Sequence, residues 1–159
     1  MTVFEQAGSF DRALEIATFL ERLEPEAVTH KRALAKLYAR SSRWQDAFSL
    51  MQKIIREKSE PELKDLITFA ESALMTQRVD MAISICQNIL SQEKTNAKAL
   101  ILLGKAYREK GDIVKAIQHM EQVVASIPED PQTWIYLARF WESTGQTDRA
   151  FEILRQGIL

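Results

Sequence analysis

The chain has 159 residues, 46% of them apolar and 27% charged, with a formal net charge of −1. That balance excludes wholesale disorder and supplies no global field to select nucleic acid or a membrane surface. Four prolines, five glycines and a surplus of Ala, Leu, Ile, Glu, Gln, Lys and Arg predict an all-α protein, and the lone Cys86 excludes an internal disulfide.

In chain order, the opening "MTVFEQAGSFDRALEIA" carries acids early and no positive segment ahead of an apolar run, so it does not read as a signal peptide. Within it Gly8 precedes Ala13 by five residues, and residues 1–27 read as a partial unit: half a helix, a turn at Gly8, and a second helix running toward Pro25. The segment 28–62 repeats the plan in full, with Leu34, Ala35 and Tyr38 in a first helix, a turn at Ser42, and Ala47 in a second. In 63–96 the same columns hold Phe69, Ala70, Ala73, Gln77 and Ala82, the weakest copy, since Lys94 replaces the closing proline. The segment 97–130 holds Leu103, Gly104, Tyr107, Gly111, Ala116 and Pro128, and 131–159 holds Trp134, Leu137, Ala138, Trp141, Gly145 and Ala150. The alanines at 13, 47, 82, 116 and 150 are separated by 34, 35, 34 and 34 residues, a register that chance does not produce.

The register assigns the glycines two different tasks. Gly111 and Gly145 fall where a helix ends and the backbone takes a left-handed residue. Gly104 lies inside a first helix, where glycine costs about 1 kcal/mol relative to alanine; opposite Ala116 it lets two backbones approach, and the packing offsets the penalty.

No catalytic constellation accompanies the repeat. Cys86 shares the column of Ala17, Met51, Met120 and Leu154 and reads as a core residue. His30 and His119 lack any partner at metal-ligand spacing, and there is no phosphate loop, nucleophile elbow or dinucleotide fingerprint. No enzyme activity, cofactor or metal is expected, and no apolar run approaches the ~20 residues of a membrane helix.

The columns Leu103, Gly104, Tyr107, Gly111, Ala116, Pro128 and Trp134, Leu137, Ala138, Trp141, Gly145, Ala150 resemble the tetratricopeptide repeat family over nearly the whole chain. The last copy is also similar to the half-a-TPR variant of RNA-processing assemblies through Trp134, Trp141, Glu142 and Gly145. The resemblance implies a right-handed superhelical α-solenoid of antiparallel helix pairs, with first helices lining a concave face and no enzymatic activity. It also implies a ligand groove on the inner face of those helices. Carried over by position, the groove comprises Arg32, Lys36, Lys64, Thr68, Glu71, Lys98, Leu102, Lys105, Arg108, Tyr136 and Arg139. Among all 24 inner-face positions eight are basic and three acidic, which implies an acidic partner. Of the residues with which one family subtype grips the carboxylate end of chaperone tails, only Lys98 is retained, which argues against that ligand.

The expected function is a non-catalytic, cytoplasmic protein–protein interaction scaffold that binds an acidic or amphipathic peptide segment. An RNA-associated scaffold is the alternative, although Tyr136 is the single aromatic among the groove cations and base stacking wants more. The end "FEILRQGIL" is not polar and lacks a cap, so the chain reads as a piece of a longer protein or as one that forms a homodimer through Ala150, Phe151, Leu154 and Ile158.

Overall fold

The computed structural model describes residues 3–25, 27–57 and 61–157, with side chains described from residue 11 onward. Among the described residues there are nine helices and no strand: α1 (Val3–Leu23), α2 (Val28–Arg40), α3 (Trp44–Glu57), α4 (Leu63–Met75), α5 (Val79–Gln92), α6 (Ala97–Glu109), α7 (Ile113–Ser126), α8 (Pro131–Ser143) and α9 (Thr147–Gln156). They form two compact units, residues 1–77 and 78–159, and the division falls inside the 63–96 copy, the one that sequence makes weakest.

In the first unit α1 packs on α2, α2 on α3 and α3 on α4, and α2 also reaches α4. The core is built from the repeat columns: Leu34 and Ala35 of α2, Ala47, Phe48, Met51 and Ile54 of α3, and Leu66, Phe69 and Ala70 of α4 are all buried. The rings of Phe48 and Phe69 meet at 5.2 Å between centroids. Where the glycine of the turn is lost, Ser42 keeps the left-handed backbone with φ of 59°. The Arg43 amide closes that turn on the Tyr38 carbonyl at 2.8 Å, and the Arg43 guanidinium covers the Tyr38 ring at 4.5 Å.

The turn expected at Gly8 does not form, because α1 runs unbroken for 21 residues from Val3 to Leu23. One glycine weakens a helix by about 1 kcal/mol without ending it. The half-helix that such a turn would create, under two turns long, is too short to be stable by itself. Ala17 is buried and Ala13, Leu14 and Leu20 are half-buried, while Ile16, Phe19 and Leu23 point to solvent.

In the second unit each helix packs on the next from α5 to α9. Gly104 is buried, and a Cβ built there would lie 3.0 Å from Met120 Sδ and 3.3 Å from the Ala116 carbonyl oxygen, so the small residue does set the approach of α6 to α7. Gly111 and Gly145 adopt φ of +86° and +80° at the ends of α6 and α8. Helix starts are fixed by side chains: Asn96 accepts from the Ala99 amide at 3.0 Å, Asp112 from Lys115 at 3.2 Å, and Asp130 from Gln132 at 3.0 Å. Ala116, Met120, Val124, Leu137 and Phe140 form a buried cluster joining α7 to α8, with Trp134, Trp141 and Ile153 packed around it.

Candidate peptide-binding surface

The two units treat the expected groove residues differently. In the first, Arg32 of α2 donates from Nε to both Asp65 carboxylate oxygens at 2.9 Å and from Nη2 to Oδ2 at 2.6 Å. The same guanidinium pairs with Glu62, which also takes the Lys64 ammonium at 2.7 Å. Asp65 is only 2% exposed, so its charge requires the fork. Its hydrogen bond to Arg32 is the main influence raising the guanidinium's pKa. The Lys64 hydrogen bond, followed by that of Arg32, holds the Glu62 carboxyl down to about 2. Arg32 is therefore a structural cation, while Lys64 is an exposed side chain paired at the surface with Glu62. Their partners sit at the start of α4, at positions 62 and 65, outside the inner-face columns on which the basic excess was counted. Thr68 turns its hydroxyl back to the Lys64 carbonyl at 3.0 Å. Lys36 and Glu71 stay exposed, with no ion pair among the described residues.

The second unit keeps its cations open. Lys98 and Lys105 of α6 and Arg139 of α8 are exposed and have no ion pair among the described residues. Tyr136 is 40% exposed, and the Lys105 ammonium sits 5.9 Å from the centre of its ring, which ties the α6 row to α8. Arg108 is half-buried, stacked on Phe140 at 5.5 Å and 3.7 Å from Glu109, so it acts more as a strut than as a ligand group. Leu102, expected to offer an apolar contact, is buried instead. It stands three residues after Ala99 and four before Ala106, both fully buried, and so belongs to the packed stripe of α6.

Arg139 also borders a cleft between α8 and α9 of about 350 Å³, lined by Ile135, Ala138, Glu142, Thr147, Ala150, Phe151 and Leu154. Phe151 is 65% exposed at its mouth. Of the residues expected to form an association face, Ala150 is buried, Leu154 is half-buried in the cleft, and Ile158 lies outside the described residues. Ala150, Phe151 and Leu154 line this one cleft, and the sequence columns gave no sign of the concavity, because depth depends on how far α8 and α9 splay.

Among the described residues no group of three or more His, Cys, Asp and Glu side chains is placed to hold a metal. Cys86 is fully buried, and burial pushes its thiol up to about 12, which leaves it unreactive. His119 stacks on Tyr107 at 5.5 Å and meets Gln122 at 3.1 Å. Among the described residues no helix is long and apolar enough to cross a membrane.

Comparison with solved structures places the fold among tetratricopeptide repeat proteins. MamA from Desulfovibrio magneticus RS-1 matches with a TM-score of 0.79 at 18% identity, over 96% of this chain and 86% of that one. TTC0263, a thermophilic TPR protein of Thermus thermophilus, matches with a TM-score of 0.77 at 17% identity, over 98% and 84%. YrrB, a TPR protein with an unusual peptide-binding site, matches with a TM-score of 0.69 at 14% identity, over 98% and 80%. By sequence, the chain is 22% identical over 157 residues to lipopolysaccharide assembly protein B of Escherichia coli (strain K12). That alignment takes in 96% of this chain and 40% of the relative, so the chain spans about two-fifths of the relative's length. The model of one family, the ChAPs (Chs5p-Arf1p-binding proteins), matches residues 9–156, and the chain belongs to that family.

Proposed function

We propose that the chain is a non-catalytic interaction scaffold whose second unit takes an acidic, amphipathic peptide segment along α6 and α8. The observation that carries this reading is the set Lys98, Lys105 and Arg139, three exposed cations without internal carboxylate partners among the described residues, leading through Tyr136 to the apolar cleft. Carboxylates of the segment pair with the cations, and apolar side chains enter between Ile135, Phe151 and Leu154. Family membership supports a protein partner, since ChAPs are described as Chs5p-Arf1p-binding proteins, and YrrB, of similar fold, is described as having a peptide-binding site.

The test is fluorescence anisotropy with a labelled peptide of alternating glutamate pairs and leucines, alongside a neutral peptide in which glutamine replaces glutamate. The acidic peptide binds with an affinity that falls as salt rises, and Lys98→Glu with Lys105→Glu and Arg139→Glu abolishes binding while the helical circular dichroism signal is kept. Equal binding of both peptides, or binding unchanged by the triple reversal, removes the surface from the account. Salt-sensitive retention of single-stranded RNA in place of the peptide moves the function to the RNA-associated alternative.

A further inference from the structure

Among the described residues of the first unit, the α1 face that carries Ile16, Phe19 and Leu23 is the most apolar surface left open, with exposures of 59%, 63% and 63%. The register makes it anomalous. Counting from the repeat alanines, Phe19 occupies the column of Lys53, Asn88, Gln122 and Gln156, and Leu23 that of Glu57, Gln92 and Ser126. The four other second helices are polar in the first column and the three that extend to the second are polar there too, so two large apolar side chains stand here where the fold asks for solvated ones. The helix does not bury them on α2, since burial along α1 falls on the adjoining face, at Ala13, Leu14, Ala17 and Leu20.

We propose that α1 pairs antiparallel with the α1 of a second copy of this chain. Residues 12, 16, 19 and 23 follow the three-and-four spacing of a coiled-coil seam. In the antiparallel register that opposes Ile16 to Phe19 of the partner subunit, and therefore Phe19 to Ile16 of the partner subunit, both layers are apolar. The flanking position just ahead of Ile16 is Glu15, and the same geometry sets it beside Arg22 of the partner subunit. Symmetry repeats the pair, so one register joins two apolar layers, lays the stem of Arg12 along Leu23 of the partner subunit at each end, and forms two Glu–Arg ion pairs. A parallel, in-register pairing sets Glu15 beside Leu20 of the partner subunit and gives it no cation. The charge pattern thus selects both the occupant, a second copy, and the direction. The contact is isologous, closed by a two-fold axis near residues 17 and 18, and its small area makes the dimer a weak one.

Sedimentation velocity over a concentration series tests the pairing on the full chain. The wild type shifts from monomer to dimer as concentration rises. Phe19→Glu, at an exposed position that leaves the fold intact, weakens the dimer about tenfold or more. Glu15→Arg alone weakens it several-fold, and Glu15→Arg with Arg22→Glu restores it. Direction is read by oxidative cross-linking: Arg12→Cys mixed with Leu23→Cys gives a linked heterodimer, whereas neither variant links efficiently to itself. A monomer at every concentration, a dimer indifferent to Phe19→Glu, a dimer lost instead with Phe151→Glu, or cross-links joining position 12 to 12, would each overturn the proposal.

Discussion

Gly157 lies directly beneath the indole of Trp134: a Cβ at 157 would stand 2.7 Å from Trp134 Cβ and 2.9 Å from Cδ2. The repeat-equivalent residues one copy earlier in the same unit are Leu100 and Val123, both buried. A large residue on the first helix has thus been matched by the smallest one on the second. Gly157→Ala is expected to destabilise by about 1–3 kcal/mol, as overpacking does. Trp134→Leu with Gly157→Val, which restores the earlier pair, recovers much of the loss of either single change. Recovery stays incomplete because the Trp134 indole also donates to the Pro128 carbonyl at 2.7 Å. Urea denaturation of the four proteins measures the coupling, and simple additivity would refute the fit.

The left-handed turn between first and second helices is held by glycine in two places and by other residues in two more. Gly111 and Gly145 have φ of +86° and +80°, while Ser42 and Gln77 have 59° and 62°. Nothing lies within 4 Å of a Cβ built on Gly111, so replacement there carries a conformational penalty and no clash. Gly111→Ala is expected to destabilise by about 1 kcal/mol, and Ser42→Gly to stabilise by a similar or smaller amount. Thermal midpoints that move in opposite directions bear this out; a Ser42→Gly protein that melts earlier does not.

These turns show why so much of the fold was legible. A 34-residue interval repeated in alanine fixes which residues face inward, and Ala47, Ala82 and Ala116 are each fully buried. The interval carries no information on what a column has been exchanged for. Gly157 belongs to a column otherwise filled by Leu20, Ile54, Ile89 and Val123, and only the position of Trp134 explains it. At Gly8 the register predicted a turn where a helix continues, because a repeat column specifies a turn only when a helix stands on both sides of it. Among the site residues, Lys98, Lys105, Tyr136 and Arg139 stand exposed. Leu102 does not, since a column cannot distinguish the rim of a groove from the seam beside it.

Acid should weaken the first unit through Glu62. Its carboxyl is held near 2, against an ordinary 4.5, by hydrogen bonds from Lys64 and then Arg32. A carboxylate with a depressed pKa in the folded state contributes stability above its unfolded pKa and loses that contribution as pH falls toward the folded one. Stability is therefore expected to decline between pH 4.5 and about 2 more steeply in the wild type than in Glu62→Gln. Thermal melts over that range measure the two slopes, and parallel slopes would show that the pairing contributes nothing.

Arg32 and Asp65 decide between two readings of the same basic residue. As a ligand group, Arg32 could be removed with loss of binding and little effect on stability. The structure instead gives it a carboxylate that is 2% exposed and bonded through both oxygens. Removing the guanidinium strands a buried charge, so Arg32→Ala is expected to destabilise by about 3–5 kcal/mol. In the second unit the equivalent pair across α6 and α8 is Ile101 and Thr133, whose hydroxyl bonds locally to the Ile127 and Asp130 carbonyls, which shows that the fold accommodates an uncharged solution at these positions. Arg32→Ile with Asp65→Thr is accordingly expected to restore stability to within about 1 kcal/mol of the wild type or to exceed it. Chemical denaturation of the single and double variants measures both outcomes. An Arg32→Ala protein as stable as the wild type would return Arg32 to the set of free groove cations, and with it the basic excess of the first unit.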